Sequence, residues 1–459
     1  TFPKIIYESW KMLYIEPDMH LYIPFHLIVI ATISFLIVMC FTTYYVCHQS
    51  MKEVPSQLLR PASPKLGKST FIERIGFIWN HLSFTWKVTV RNLLRYKRRL
   101  IMTVIGVGGC SALMVIGFGI RDSINQMVKL QFTDITHYDG SAKINSEISS
   151  EDKNALIETV NTDKGVASNL TAVSYTGIVT FNDEDETVLT QVFENNAEIE
   201  QLYTLRTRKG HQPIPLTDEG IIISEKLSED LNIHVGDAVT IESKKGVRKK
   251  VQVSGICEMY IQHYAFISKP LYEKLFDTTL EDDTMFITCS TDDSTQLQKM
   301  LANDSHIDSI SFYDVTLENF NQMVSTLNYI IIVLIVSSMA LAFVVLGNLM
   351  NINISERQRE IATLKVLGFR KKEVQSYVYK ENNVLTLLGS IAGLPLGIAI
   401  HHWIMRELQF SYVMYGVDVM PLSLFLSVIL TVAFGILVNL LMRKKLSAIE
   451  MVESLKSVE

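Results

Sequence analysis

Cysteine is scarce: five residues in 459, none in CxxC spacing, so the chain has neither a disulfide framework nor a zinc knuckle. Cys40, Cys47 and Cys110 stand inside apolar runs, where a thiol behaves as a small hydrophobe. Cys257 and Cys289 lie in polar sequence, and their spacing leaves pairing open. Close metal-ligand spacing is also missing. His137, His211, His234, His263 and His306 are dispersed without an HExxH, which reads as surface or packed histidine rather than a metal centre. The acidic runs Asp183–Glu186 and Glu281–Asp283 lack the EF-hand pattern and read as solvated turns. Leu66-Gly67-Lys68-Ser69-Thr70 imitates the end of a phosphate-binding loop. However, Ala62 stands where the first glycine belongs, Pro64 interrupts the loop and no apolar strand precedes it. Neither catalysis nor nucleotide binding is expected on this chain, and a net charge of −6 gives no basic excess for nucleic acid.

What the chain has in abundance is long apolar sequence. Hydrophobic residues make up 48% of it and charged residues 20%, which suits a membrane protein with a sizeable polar part. Five runs are long enough to cross a bilayer as helices: residues 23–47, 100–120, 329–350, 384–405 and 421–442. The segment 48–99 carries eleven Lys or Arg against Glu53 and Glu73, and segment 351–383 and the tail 443–459 are also basic. By the positive-inside rule all three are cytoplasmic. Residues 121–328 hold 34 Asp or Glu against 17 Lys or Arg and fall outside, as do residues 1–22. No Asp, Glu, Lys or Arg lies near the middle of any run, which argues against a proton- or sodium-driven carrier.

Immediately after the third run the sequence turns charged. Residues 351–370 read NINISERQREIATLKVLGFR, with Arg357, Arg359, Glu360, Lys365 and Arg370 interleaved with Ile361, Leu364, Val366 and Leu367. This segment resembles the cytoplasmic coupling segment of FtsX-like (MacB-type) ABC transporter permeases, whose pattern is close to ERxREIGxLKAxGxx. Glu356, Arg357, Arg359, Glu360, Ile361, Leu364, Lys365 and Gly368 fall in register with it. The resemblance implies a permease in the plasma membrane that holds no cofactor itself and pairs with a dimeric cytoplasmic ABC ATPase, which binds the ATP. Glu360–Phe369, including Leu367, would receive the motion of that partner and pass it to the outer domain, for export or extraction of a hydrophobic or peptide substrate. A membrane-anchored regulator of envelope enzymes or signalling, moving no substrate, is the alternative.

Glu53–Arg60 after the first run and Ile449–Lys456 after the last both resemble the I-D-P-V-E-A-L-R-like ending of family units. With Thr1 first, an outside start and an odd number of spans, the expectation is the C-terminal half of a longer two-unit permease. A preceding unit of that chain, and membrane lipid, would be further partners. Within 48–99, Trp86, Val90, Leu93 and Leu94 share a helix face opposite Lys87, Arg91, Arg95 and Arg98, a pattern that lies along the inner leaflet.

The fold class expected is an α-helical polytopic membrane protein of about five transmembrane helices, with an α+β extracytoplasmic domain inserted at 121–328. Residues 118–132 and 315–327 have helical periodicity and would run unbroken into spans as a stalk. Alternation at 177–181, 251–255 and 285–288 marks strands, and 221–241 reads strand, short helix, Gly236-Asp237 turn, strand. Gly389, Gly393 and Gly397 recur every four residues in one span, the spacing that lets helix backbones approach closely in lipid. His401-His402 is expected at the outer membrane interface.

Overall fold

The computed structural model describes residues 25–52, 80, 87, 90, 91, 94, 97–290, 294–356, 361, 363, 366–407 and 412–441. The inner-leaflet helix expected near Trp86, the two repeated endings and residues 1–22 lie largely or wholly outside these. Five helices are long and apolar enough to cross a membrane. The first, α1 (Phe25–Met51), belongs to a unit of its own, residues 1–100.

In the other unit, α2 (Lys97–Lys129) continues past the expected span end, closes in a wider turn at Leu130–Ile135 and enters the extracytoplasmic domain. At 33 residues it is about 50 Å long, far more than the hydrocarbon thickness of about 30 Å.

The domain has two lobes sharing one long strand. The first contains β1 (Gly140–Ile144), α3 (Ser150–Thr162) and the start of β2 (Val166–Phe181). After a long excursion come β8 (Thr284–Cys289), α7 (Thr295–Ala302) and β9 (Ile307–Phe312). Its strand order is β2-β8-β1-β9 with every neighbour antiparallel, two interlocked split βαβ units. The excursion builds the second lobe from β3 (Glu184–Phe193), α4 (Asn196–Leu202), β4 (Ile221–Ser224), α5 (Glu225–Leu231), β5 (Ala238–Glu242), β6 (Arg248–Cys257), β7 (Tyr264–Ser268) and α6 (Lys269–Phe276). The end of β2 pairs with both β3 and β5. The ring β2-β3-β7-β4-β6-β5 therefore closes on itself and leaves no sheet edge in this lobe. Its interior is filled by alternating β-branched residues such as Val179, Val188, Val239, Ile241, Val251 and Val253. The two lobes have separate cores, with Ala142, Leu156, Met285 and Leu301 among the residues filling the first. Asn182 and Asp183, both at positive φ (52° and 64°), make the tight β2–β3 turn.

No disulfide joins Cys257 and Cys289: the first is buried under the second lobe and the second is packed against the first lobe's core. The reading of Glu281–Asp283 as a solvated turn is corrected. Asp283 is buried and takes ion pairs from Lys143 of β1 at 2.7 Å and from Lys244 of the β5–β6 turn at 2.6 Å, while Asp282 receives Lys269 at 3.4 Å. One carboxylate thus joins a strand of the first lobe to a turn of the second.

From β9 the chain enters α8 (Tyr313–Glu356), 44 residues without a break and about 66 Å long. α9 (Lys371–Glu407) and α10 (Pro421–Leu441) complete a four-helix membrane bundle with α2 and α8. Polar side chains join it at its buried seams, where hydrocarbon would leave them unsatisfied. Ser111 donates to the Ser390 carbonyl (3.0 Å) and Ser338 to the Cys110 carbonyl (2.7 Å).

Candidate coupling site and outer clasp

Between α8 and α9 lies the segment matched to the coupling pattern. Glu356 closes α8, and its side chain together with Arg357, Arg359, Glu360, Leu364 and Lys365 lies outside the described residues. Ile361 is buried. The helical backbone then ends at a left-handed glycine: Gly368 has φ +89° and the Leu367 amide donates to the Thr363 carbonyl at 2.9 Å. Around this turn three large apolar side chains stand in solvent, Val366 at 60%, Leu367 at 69% and Phe369 at 50% exposure. The next helix starts at once. Glu373 reaches back to accept from the Arg370 amide (2.8 Å) while its own amide donates to the Arg370 carbonyl (2.9 Å), closing the first turn of α9. The tight turn therefore presents an apolar knob between Ile361 and α9. Exposed apolar groups among charged neighbours mark a docking surface.

About three turns into α9, an amide network fixes the helix to α10. Asn382 donates to Asn439 Oδ1 (2.7 Å), and Asn439 donates to Asn383 Oδ1 (2.6 Å), with Asn382 and Asn439 both buried. Further along, the three glycines lie against α2. A Cβ at Gly389 would come 2.7 Å from Val107 Cβ, one at Gly397 would come 2.7 Å from Val115 Cβ, and one at Gly393 would collide with the Gly108 carbonyl. Helix backbones are in contact there, and Pro395, on the exposed side of α9 between Gly393 and Gly397, contributes no N–H to the helix.

At the outer end His401 is fully buried between helices: its Nε2 lies 3.1 Å from Ser123 Oγ of α2, and its ring occupies the space a side chain at Gly119 would need. An alternation of apolar and polar residues cannot tell a helix face turned to lipid from one turned to another helix.

Just beyond, the short connection from α9 to α10 is stitched to the extracytoplasmic domain. Val413 forms an antiparallel bridge with Ile261, the Gln262 amide donates to the Tyr412 carbonyl (2.7 Å) and the Met414 amide donates to the Tyr260 carbonyl (2.9 Å). Asp122 of α2 accepts from the Met420 amide (3.0 Å), the residue before Pro421 opens α10. Beneath the domain, Met405 from α9, Met414 and Tyr415 from the connection, and Ile124 and Met127 from α2 share one core with Tyr138, Tyr203, Phe266 and Phe286. Tyr313, first residue of α8, stacks into it 4.9 Å from both Phe132 and Tyr138. A buried charge pair holds its rim: Glu258 receives Arg206 at 2.7 Å and the Tyr260 hydroxyl at 2.6 Å. Burial comes first among the causes that raise the Tyr260 hydroxyl above its ordinary range, with the Glu258 hydrogen bond next.

These clasp residues, and the asparagines, are not apparent from motif matching. One signal was available. Ser423, Ser427, Thr431, Gly435 and Asn439 recur every fourth residue in the last span and all lie on its buried face. The clasp itself leaves no comparable trace, because a backbone bridge between residues 261 and 413 imposes no side-chain type.

Two family models match this chain: a MacB-like periplasmic core domain over residues 100–304 and an FtsX-like permease C-terminal domain over residues 332–451. The chain belongs to the FtsX-like, MacB-type ABC transporter permeases. Among curated relatives, an uncharacterized ABC transporter permease of Methanocaldococcus jannaschii is 27% identical over 184 residues, which is 37% of this chain and 44% of that protein. YknZ, an uncharacterized ABC transporter permease of Bacillus subtilis, is 26% identical over 190 residues, 38% of this chain and 47% of that protein. The matches thus span about half the length of these relatives. Similar solved structures include the extracellular domain of a noncanonic ABC-type transporter YknZ from Gram-positive bacteria, at 14% identity and TM-score 0.25, covering 38% of this chain and 98% of that one. The periplasmic region of MacB from Actinobacillus actinomycetemcomitans is similar at 13% identity and TM-score 0.25, covering 43% of this chain and 97% of that one. The permease is a multi-pass membrane protein, and its α+β domain is extracytoplasmic.

Proposed function

We propose that the permease converts the motion of a cytoplasmic ABC ATPase into movement of its extracytoplasmic domain, moving a hydrophobic or peptide substrate. ATP is bound and hydrolysed on the partner, whose dimer would carry two permease units. Val366, Leu367 and Phe369 form the contact, with Glu356, Arg357, Arg359, Glu360, Ile361, Leu364, Lys365 and Gly368 shaping the segment that presents them.

One observation supports this reading above others. The coupling turn hangs between two continuous helices, α8 and α9, and the outer ends of both, Tyr313 and Met405, are packed in the same aromatic core under the domain. A displacement at the turn is carried across the bilayer on two rods. Native packing resists small deformations and responds as a unit. Apolar spans without central charges suit this mechanical role better than a hydrophilic conduction path.

The experiment is co-reconstitution of the permease with its ATPase in proteoliposomes. Candidate peptides and lipids should raise ATP hydrolysis, and Leu367→Asp or Leu364→Asp should abolish the rise while the permease stays folded. A regulator that moves no substrate would show no substrate-dependent hydrolysis with any candidate.

A further inference from the structure

We infer that Arg208 is a two-position latch of the outer clasp, seated on Tyr260 and Met414 while the clasp is closed and on Glu225 when it opens. Arg208 stands on the loop between α4 and β4, whose base is fixed. The Thr207 amide donates to the Gln212 carbonyl (2.9 Å), the Gln212 amide donates to Thr207 Oγ1 (3.0 Å), and Arg206 forms an antiparallel bridge with Pro213. With the backbone held in this way, the guanidinium is the part that moves.

Its present seat touches both sides of the clasp. The guanidinium lies 5.9 Å from the centre of the Tyr260 ring, and its Nη1 donates to Met414 Sδ at 3.6 Å. Tyr260 belongs to the extracytoplasmic domain and Met414 to the connection between α9 and α10, and the Met414 amide donates to the Tyr260 carbonyl (2.9 Å). A thioether is a weak acceptor, and neither it nor the ring carries a charge to match the guanidinium.

A stronger partner stands just out of reach. Glu225, the first residue of α5, has its Oε2 4.0 Å from Arg208 Nη1, beyond hydrogen-bond distance. That oxygen is shut off from solvent and, among the described residues, accepts no hydrogen bond. Burial comes first among the causes that raise the Glu225 carboxyl above its ordinary range, and the charge of Arg208 does not offset it. The neighbouring pair shows the contrast, since Arg206 donates to Glu258 at 2.7 Å. A buried acceptor without a donor is costly, and a second arrangement that supplies the donor recovers that cost. A shift of about 1 Å brings the guanidinium to charge-assisted hydrogen-bond distance of the carboxylate. When the 412–420 connection withdraws, Met414 leaves with it, Arg208 settles on Glu225, and the open clasp gains a bond that the closed one lacks.

The test needs no ATPase, so its outcome is separate from that of the proposed coupling. Hydrogen exchange at the Met414 amide is followed in the full chain in lipid nanodiscs. Glu225→Met removes the second seat and should slow this exchange about threefold or more, because opening loses its compensating bond. An ion pair that only stabilises the closed clasp would give the opposite sign. In an Arg208→Met background, adding Glu225→Met should leave the rate unchanged. Faster or unaltered exchange in the single variant, or slowing that persists in the absence of Arg208, overturns the assignment.

Discussion

Val413, in the short outer connection between α9 and α10, is bridged strand-to-strand with Ile261 of the extracytoplasmic domain. The domain is therefore held at more points than the two helices from which it emerges. A third attachment comes from the pair of spans that includes α9, the helix that begins at the coupling turn. Removing one of these hydrogen bonds should loosen the clasp without unfolding either lobe. Asp122→Ala takes away the acceptor of the Met420 amide and should cost about 1 kcal/mol. Asp122→Asn retains an oxygen acceptor and should be nearly neutral. Limited proteolysis of the 412–420 connection checks this, with cleavage faster in the alanine variant only.

The coupling turn depends on a backbone conformation as well as on its apolar side chains. Gly368→Ala places a Cβ at φ +89°, where an L-residue is strained by about 1 kcal/mol. The turn should re-form differently and displace Leu367 and Phe369. The expected result is reduced ATPase stimulation at unchanged expression, with Phe369→Asp giving a larger loss. Hydrolysis by the reconstituted complex measures both.

The glycine seam makes a graded prediction. Gly393→Ala forces a methyl against the Gly108 carbonyl, which is backbone and cannot swing away, whereas Gly109→Ala meets nothing within 4 Å. The first should destabilise the bundle by about 1–3 kcal/mol and the second should not. Thermal unfolding in detergent separates the two.

Much of this architecture could be read from residue pattern. The apolar runs announced the spans, and the strand–helix–turn–strand pattern of 221–241 is present as β4, α5 and β5. The Gly389–Gly393–Gly397 spacing pointed to a close helix contact, though not to its partner, Val107–Val115 of α2. What stayed hidden shares a physical cause. Closure of the second lobe requires β2 to pair on both sides, and the clasp pairs residues 261 and 413. Such contacts join segments far apart in sequence through backbone groups, which every residue carries alike. Asp283 misled for a related reason: a run of three acids reads as a solvated turn until Lys143 of β1 and Lys244 of the β5–β6 turn are brought to it.

Asp283 also gives the domain an acid limit. Burial by itself would raise its carboxyl, but hydrogen bonds and charge from Lys143 and Lys244 outweigh that and hold it below its ordinary value. With the folded value depressed, the contribution is complete above the unfolded value of about 4 and is lost as pH falls through the folded one. Stability of the extracytoplasmic domain should therefore decline on acidification below about pH 4. Asp283→Asn should be less stable at neutral pH and lose less on acidification. Unfolding followed across that pH range by tyrosine fluorescence would show it.

The most direct measurement of transmission across the bilayer is hydrogen exchange at the Gln262 and Met414 amides in the permease–ATPase complex, with and without ATP. Coupling between two sites is reciprocal in free energy, so nucleotide bound inside must alter the stability of contacts outside if α8 and α9 carry the motion. The expected result is an ATP-dependent change at both amides in the unaltered protein and none with Leu367→Asp. The same change in both proteins, or no change in the unaltered one while it stimulates hydrolysis, would contradict the account.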